Sequence, residues 1–223
     1  AVALGVSLAV MNLTFYESVH LLGLGIAATV EFLGPLLLAL VTSRRLLDVV
    51  CVFVAGAGVV LLTGLEGTVN VWGIVLALVA AAAWAAYILL TRRVALSLPG
   101  LEGLTVASII SLALILPLAA LGLATAQFSW PIVGLLLLIG VLSSAIPYAL
   151  DTFILRRITA RLYAIITSFG PVVAAIFGVI VLGESLGFWQ FVAIGLVCLA
   201  AGVAIATQKP PASDLEQTAE GLT

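Results

Sequence analysis

Charge is what this sequence has least of. Only 8% of its 223 residues are Asp, Glu, Lys or Arg, whereas a soluble domain carries about 25%. Apolar residues make up 64% of the chain, and the mean hydropathy is +1.38. This composition excludes an ordinary soluble domain and predicts an all-α membrane protein, a bundle of transmembrane helices in contact with the lipid bilayer.

Basic residues, histidine and cysteine are also few. The eight Lys and Arg residues are scattered in short loops, a distribution that does not favour a nucleic-acid partner. Cys51 and Cys198 lie inside apolar segments, which is typical of packing residues rather than of a disulfide or a metal site. The single histidine, His20, stands at a segment end. Because the chain thus offers neither an activated nucleophile nor a metal cluster, we expect no intramembrane enzyme, metal or cofactor.

One apolar stretch, Leu21–Val41, has a carboxylate at its midpoint. The stretch is long enough to cross a bilayer, since about 20 apolar residues span the hydrocarbon core. Glu31 lies at its centre and is followed by Gly34 and Pro35. A charge at this depth normally faces a cavity or the protein interior, and Pro35 has no N–H for the Glu31 carbonyl. Glu31 is therefore the predicted centre of a site, the alternative being a purely structural role.

Seven further apolar segments predict helices. They are Ala1–Tyr16, Val49–Thr63, Val71–Thr91, Leu104–Ala126, Pro131–Leu155, Tyr163–Leu182 and Phe188–Thr207. The first is shorter than the 17–25 residues of a usual span, so we expect the chain to begin inside a helix. Residues 208–223 are polar and include two prolines, which predicts a disordered tail.

The basic residues predict the orientation of these segments. If eight segments alternate across the membrane, every Lys and Arg falls on one side: Arg44, Arg45, Arg92, Arg93, Arg156, Arg157, Arg161 and Lys209. The loops on the other side contain only Glu17, Glu66 and Glu184 among ionised groups. By the positive-inside rule, the arginine side and the C-terminus are cytoplasmic.

An internal repeat relates the first three segments to the last three. The stretch Asn12–Val41 resembles Tyr148–Phe177 at a fixed offset, and Gly34-Pro35 aligns with Gly170-Pro171. The two units start on opposite sides of the membrane, as in the inverted repeats between which secondary transporters build a midplane site. Gly34, Pro35, Gly170 and Pro171 are therefore predicted helix breaks.

The repeat also predicts the division of the chain. Residues 1–63 form the first unit with three segments, and residues 71–207 form the second with five. Equal units require two further helices before Ala1, which gives ten helices in the intact protein.

Polar residues at helical spacing predict the wall of a cavity around Glu31. Residues three or four apart share a helix face. The candidate substrate-binding residues are Asn12, Tyr16, Glu31, Trp84, Tyr87, Ser144, Tyr148, Asp151 and Thr167. Structural alternatives exist for most of them: an aromatic belt for the tyrosines, helix packing for Ser144, Thr167 and Asn12, and an ion pair with Arg156 for Asp151.

Three stretches resemble the threonine/homoserine exporters of the drug/metabolite transporter (EamA) superfamily. They are Gly5–Arg45, with its EF-GP core, Ala81–Arg93, and Leu142–Glu184. The resemblance implies ten helices in two inverted five-helix repeats, a bacterial inner-membrane location and export of amino acids or similar metabolites. Asp151 matches an acidic position of the branch. The family often has Glu before the second proline, where this chain has Gly170, so a mechanism with two buried carboxylates does not carry over.

The resemblance and the residues together predict a proton-driven exporter of small amino acids. Glu31 can exchange a proton with the cavity or bind a substrate ammonium, and the ring faces of Trp84 and Tyr87 can also hold an ammonium. The expected partners are the amino acid and protons, with a homodimer left open. The alternatives are an exporter of other metabolites or drugs and a non-transporting membrane fragment.

Overall fold

The described part of the chain is helical. A computed structural model describes residues 1–34, 46–64, 70–123, 129–159, 162–163, 167 and 170–207. Its helices are α1 (Val2–Leu22), α2 (Leu24–Glu31), α3 (Leu46–Gly64), α4 (Val71–Ser97), α5 (Glu102–Leu123), α6 (Trp130–Gly140), α7 (Ile146–Arg157), α8 (Gly170–Leu182) and α9 (Phe188–Thr207). A π-helical turn, Val141–Ala145, connects α6 to α7.

Several of these helices suit a bilayer. Four segments are long and apolar enough to cross a membrane, and they are Val2–Leu22, Val71–Ser97, Glu102–Ala120 and Trp130–Arg157. The helices α8 and α9 contain shorter apolar stretches. On α6, large apolar side chains such as Leu135 and Leu137 are exposed, as expected where lipid is the solvent. The predicted all-α membrane bundle is confirmed.

The predicted boundary between the first two segments is wrong. The helix α1 continues to Leu22 instead of stopping at Tyr16, and α2 begins only at Leu24. Gly23 separates them with a φ of +83°, a left-handed conformation that glycine adopts without steric cost. Apolar residues on both sides of Gly23 hide this turn in the hydropathy pattern. With 21 residues, α1 reaches spanning length.

Two other segments also differ from the prediction. The helix α4 extends past Thr91 to Ser97, and the sixth segment is interrupted by the π-helical turn. Predictions for Pro35, Arg44, Arg45, Glu66, Arg161, Lys209 and the tail lie outside the described residues.

The helix α1 is central in the packing of the described residues. It lies against α4 and α5, while α2 packs on α4 and α8, and α3 packs on α9. One core cluster joins Leu8 of α1, Tyr87 and Ile88 of α4, and Leu155 of α7, all nearly inaccessible. These contacts bring α1, α2, α4 and α7 around one point.

Gly34 allows the end of α2 to approach α4 closely. A Cβ atom at Gly34 would overlap the backbone carbonyl oxygen of Ala81. Ala80 and Ala81 are fully buried, so the alanine run of α4 serves close helix packing. Two residues before Gly34, the ring of Phe32 packs on Trp84 with centroids 5.4 Å apart.

Two long-range contacts connect helix ends. Arg156 of α7 donates hydrogen bonds to the carbonyls of Ala95 (2.9 Å), in the last turn of α4, and of Leu98 (3.1 Å) and Gly100 (2.7 Å), just after it. Glu184, after α8, accepts hydrogen bonds from the backbone N–H of Leu24 at the start of α2. Each contact joins two helix ends or adjacent residues that the predicted alternation of segments places on the same side of the membrane.

Candidate functional site

A small cavity lies where α1, α2, α4 and α7 meet. Its volume is about 190 Å³. The residues that line it are Met11, Asn12, Phe15, Tyr16, Glu31, Trp84, Ser143 and Tyr148. Five of the nine predicted substrate-binding residues are among them: Asn12, Tyr16, Glu31, Trp84 and Tyr148. The cavity combines a carboxylate, an amide, hydroxyls and aromatic rings.

Glu31 is placed in this cavity by the way α2 ends. The helix stops at Glu31, four residues before Pro35, which has no N–H to donate to the Glu31 carbonyl. Phe32 turns into the core against Trp84, while Glu31 borders the cavity. In the described part of the chain, no residue donates a hydrogen bond to its carboxylate. The negative end of the α2 dipole lies at the same place, so this wall attracts a cation.

Asn12 and Tyr148 form a polar pair in the opposite wall. The Tyr148 hydroxyl lies 2.9 Å from Nδ2 and 3.0 Å from Oδ1 of Asn12. The Nδ2 atom also donates to the carbonyl of Leu8, one turn earlier on α1, at 2.8 Å. That bond fixes the orientation of the amide. Since both N–H groups and the Tyr148 O–H already donate within the protein, the pair presents acceptor oxygens to the cavity.

Aromatic residues complete the small cavity. Trp84 from α4 lies beside Glu31, and Phe15 and Tyr16 come from α1. The ring of Trp84 is half-buried and held by Phe32. A cation between the Glu31 carboxylate and an aromatic ring is attracted to both.

A second, larger cavity shares part of the same wall. It has a volume of about 580 Å³ and lies between α1, α5 and the π-helical turn. Asn12, Tyr16 and Tyr148 border both cavities. Most of its other lining residues are apolar, among them Leu8, Leu104, Leu112 and Ile115, with Ser108, Ser111, Ser144 and Glu17 added.

The π-helical turn decides which serine faces which cavity. The α-helical spacing of four residues from Tyr148 points to Ser144, yet Ser144 borders the larger cavity and Ser143 the small one. In a π-helical turn, residues five apart come together, and Ser143 is five residues before Tyr148. Sequence reasoning missed Ser143 because a single π-helical turn has no clear sequence signal.

Tyr87 and Asp151 lie behind the wall and border neither cavity. The Tyr87 hydroxyl donates to Oδ2 of Asp151 at 2.9 Å, and Tyr163 is a second hydrogen-bond partner of this carboxylate. The ring of Tyr87 packs on Tyr148 with centroids 5.6 Å apart. The alternative ion pair between Asp151 and Arg156 is wrong, because the Arg156 guanidinium bonds to carbonyls in the last turn of α4 and just after it.

Thr167 is not brought to either cavity. Its hydroxyl donates to the Tyr163 carbonyl at 3.1 Å, a bond within one helical turn. Gly170 and Pro171 are the first residues of α8. A proline is tolerated there because the backbone N–H groups of a helix's first turn have no acceptor within the helix. The repeat-related position of Glu31 thus contributes no lining group to the two cavities.

Comparison with known proteins identifies the family. A profile of the EamA-like transporter family matches residues 71–206. The threonine/homoserine exporter RhtA of Escherichia coli (strain K12) is 38% identical over 199 residues, which cover 88% of this chain and 67% of that protein. RhtA of Salmonella typhimurium (strain LT2) is 36% identical over 211 residues, 93% of this chain and 71% of that protein.

A more distant relative comes from Bacillus subtilis (strain 168). Its uncharacterized transporter YcbK is 29% identical over 132 residues, 56% of this chain and 42% of that protein. No solved structure gives a significant match. A family of transporters agrees with the apolar helices. This multi-pass membrane chain belongs to the EamA-like transporter family, in the branch of the threonine/homoserine exporters.

Proposed function

We propose that this protein exports small amino acids of the threonine/homoserine type across a bacterial inner membrane, driven by the proton gradient. The observation that carries the proposal is the Glu31 carboxylate, which borders the small cavity without a hydrogen bond from any described residue. The cavity volume of about 190 Å³ is below the roughly 300–1,000 Å³ of sites for drug-sized ligands. Such a cavity favours a small substrate.

The cavity offers a partner for each group of an amino acid. The substrate ammonium fits between the Glu31 carboxylate and the Trp84 ring. The Ser143 hydroxyl supplies a donor for a substrate carboxylate. The N–H and O–H groups of Asn12 and Tyr148 are engaged within the protein, so their oxygens serve as acceptors for a substrate hydroxyl or ammonium. These groups come from α1, α2, α4 and the segment from the π-helical turn into α7, so binding depends on how those helices are arranged.

The proposed proton coupling depends on Glu31, the one carboxylate among the described residues that line the small cavity. Glu31 can hold either a proton or the substrate ammonium, but not both at once. If the two alternate on opposite sides of the membrane, each substrate that leaves is exchanged for a proton that enters. This scheme needs one buried carboxylate, which agrees with Gly170 and Thr167 at the repeat-related positions.

The architecture belongs to the same proposal. Residues 1–63 and 71–207 form two inverted repeats, with the arginine-rich loops and the C-terminus in the cytoplasm. Two contacts support this arrangement: that of Arg156 with Gly100 and that of Glu184 with Leu24. Each joins residues at or next to helix ends that the proposal assigns to one side of the membrane.

The larger cavity favours a second candidate, an exporter of bulkier or more apolar metabolites. It adjoins the small cavity across Asn12 and Tyr148 and is lined mainly by leucine and isoleucine. A substrate that extends into it would bury apolar surface there.

Substrate efflux separates these two candidates. Cells that express the full-length protein are loaded with a labelled panel of threonine, homoserine, serine, leucine and phenylalanine, and efflux is followed at several external pH values. Preferential efflux of threonine and homoserine that requires a proton gradient supports the proposal. Preferential efflux of leucine and phenylalanine favours the second candidate, and no efflux of any amino acid contradicts the first.

A further inference from the structure

Glu184 reaches the start of α2 from a distant part of the chain. Its Oε1 accepts a hydrogen bond from the Leu24 N–H at 2.6 Å, and its Oε2 accepts one from the Gly25 N–H at 3.2 Å. These donors belong to the first turn of α2, where backbone N–H groups have no partner within the helix. Gly23, at the position of the cap, has no side chain to satisfy them.

The surroundings of Glu184 are shaped to hold its carboxylate. A Cβ atom at Gly178 would overlap Oε2, and one at Gly23 would lie 3.0 Å from Oε1. The Glu184 N–H donates to the Gly178 carbonyl at 3.0 Å. Gly183, with a φ of +68°, turns the chain after α8 so that this bond forms. Two glycines thus leave room for the carboxylate, and a third directs it to α2.

The helix that Glu184 caps is the one that carries Glu31. With eight residues, α2 is about 12 Å long at 1.5 Å per residue, and Glu31 is its last residue. Its other end is held by the close approach of Gly34 to Ala81. Because α2 is short, it behaves as one rigid segment. A displacement of its first residue, Leu24, therefore also displaces its last residue, Glu31.

We infer that Glu184 is a positioning residue for Glu31. Its carboxylate binds the first turn of α2 and thereby holds the Glu31 side chain at the cavity wall, although Glu184 itself borders neither cavity. The contact also connects the first predicted repeat to the second. The consequence for transport depends on the proposed function, whereas the position of Glu31 can be tested without it.

Two variants test the inference by different routes. Glu184→Gln keeps the size of the side chain but leaves one acceptor oxygen for two N–H groups. Gly178→Ala leaves Glu184 unchanged and displaces its carboxylate by steric overlap. Glu102→Gln is the matched control, since Glu102 is an exposed carboxylate in the first turn of α5 and has no contact with α2.

Hydrogen–deuterium exchange of the intact protein in nanodiscs measures the cap directly. In both test variants we expect the amides of Leu24 and Gly25 to exchange about fivefold faster, the change that corresponds to losing a typical helix cap. We expect no change in Glu102→Gln. Unchanged exchange in both test variants would overturn the inference at its first step.

The position of Glu31 is measured by its reaction with dicyclohexylcarbodiimide, a reagent for carboxyl groups in apolar surroundings. We expect the labelling rate at Glu31, followed by mass spectrometry, to change severalfold in both test variants and to stay constant in the control. Faster amide exchange with an unchanged labelling rate would show that the cap does not position Glu31 and would overturn the inference.

Transport kinetics then separate this inference from the proposed function. Per molecule in the membrane, we expect Glu184→Gln to raise the KM for threonine efflux more than it lowers the maximal rate. If the wild-type protein exports no amino acid while exchange and labelling change as expected, the proposed function fails and the positioning role of Glu184 is still supported. If wild-type KM is retained despite altered labelling, a role of Glu184 in transport is overturned.

Discussion

Asn12 and Tyr148, which occupy equivalent positions of the predicted internal repeat, are hydrogen-bonded to each other through their side chains. They are 136 residues apart, which is the offset that aligns Asn12–Val41 with Tyr148–Phe177. Equivalent residues of two units meet only close to the twofold axis that relates the units. The pair therefore supports the proposal of two inverted repeats, and it lies where the two cavities adjoin.

Removing the Tyr148 hydroxyl should weaken substrate binding. Tyr148→Phe keeps the ring and its packing on Tyr87 but removes the partner of Asn12 in the cavity wall. Loss of one hydrogen bond of about 1 kcal/mol should raise the KM for efflux about fivefold. Efflux kinetics, normalised to the amount of protein in the membrane, measure this change.

Tyr87→Phe is the matched control for that experiment. It removes a hydroxyl from the same core cluster but outside both cavities, and Asp151 keeps Tyr163 as a partner. We expect a lower unfolding temperature with an unchanged KM. An equal rise of KM in both variants would mean that Tyr148 acts through the core and not in the cavity.

Glu31→Gln should abolish export while the protein still folds. Glutamine keeps the volume and hydrogen-bonding capacity of the side chain but can neither ionise nor take up and release a proton. Because a buried charge is removed, membrane insertion should be at least as efficient. Threonine efflux at several external pH values, with membrane abundance measured in parallel, checks both parts.

Two further variants serve as a conservative change and a control for Glu31→Gln. Glu31→Asp shortens the side chain by one methylene and should leave partial activity, and Glu102→Gln makes the same chemical change at an exposed site and should leave activity intact. Normal efflux by Glu31→Gln with an unchanged pH dependence would make Glu31 a structural residue.

Gly34→Ala should destabilise the protein although alanine favours helices. In a helix, glycine to alanine is normally stabilising by roughly 0.5–1 kcal/mol. At Gly34 the added methyl group would overlap the Ala81 carbonyl oxygen, a backbone atom that cannot rotate away. We expect a lower unfolding temperature in detergent and reduced efflux. Gly195→Ala, in α9 with no atom near the added Cβ, should be neutral or stabilising, and equal behaviour of the two variants would contradict the close approach of α2 to α4.

Arg156→Lys should also destabilise the fold. The guanidinium of Arg156 donates to three carbonyls in the last turn of α4 and just after it, and a lysine ammonium cannot reproduce this planar fork. The expected loss of unfolding free energy is about 1–3 kcal/mol, measured by chemical denaturation in detergent. The neighbouring Arg157 is exposed, so Arg157→Lys should have no effect. A similar loss in both variants would contradict a specific role for the three hydrogen bonds of Arg156.

Cysteine labelling tests the proposed orientation. In a background without Cys51 and Cys198, we expect Ser129→Cys to react with an impermeant thiol reagent added outside the cell and Ser97→Cys to remain unlabelled. Both serines are exposed and stand at helix ends that the alternation places on opposite sides. The reverse pattern would overturn the orientation, and labelling of both would overturn the alternation itself.

The membrane class, the helical fold and the family could be read from the sequence alone. Each depends on properties that accumulate along the chain: the scarcity of charge, the length of apolar runs, and motifs such as the EF-GP core around Glu31. The same reasoning identified Glu31, Asn12, Tyr16, Trp84 and Tyr148, because helical spacing places polar residues on a common face without reference to distant parts of the chain.

Only the tertiary structure decided how those faces are used. Ser143 rather than Ser144 borders the small cavity because a π-helical turn shifts the spacing. Tyr87 and Asp151 satisfy each other behind the wall, and Glu184 caps a helix that begins 160 residues earlier. Such contacts depend on where separate helices come to lie. A hydropathy pattern reports how each residue meets lipid or water, whereas a hydrogen bond between distant residues exists only once packing has brought the two together.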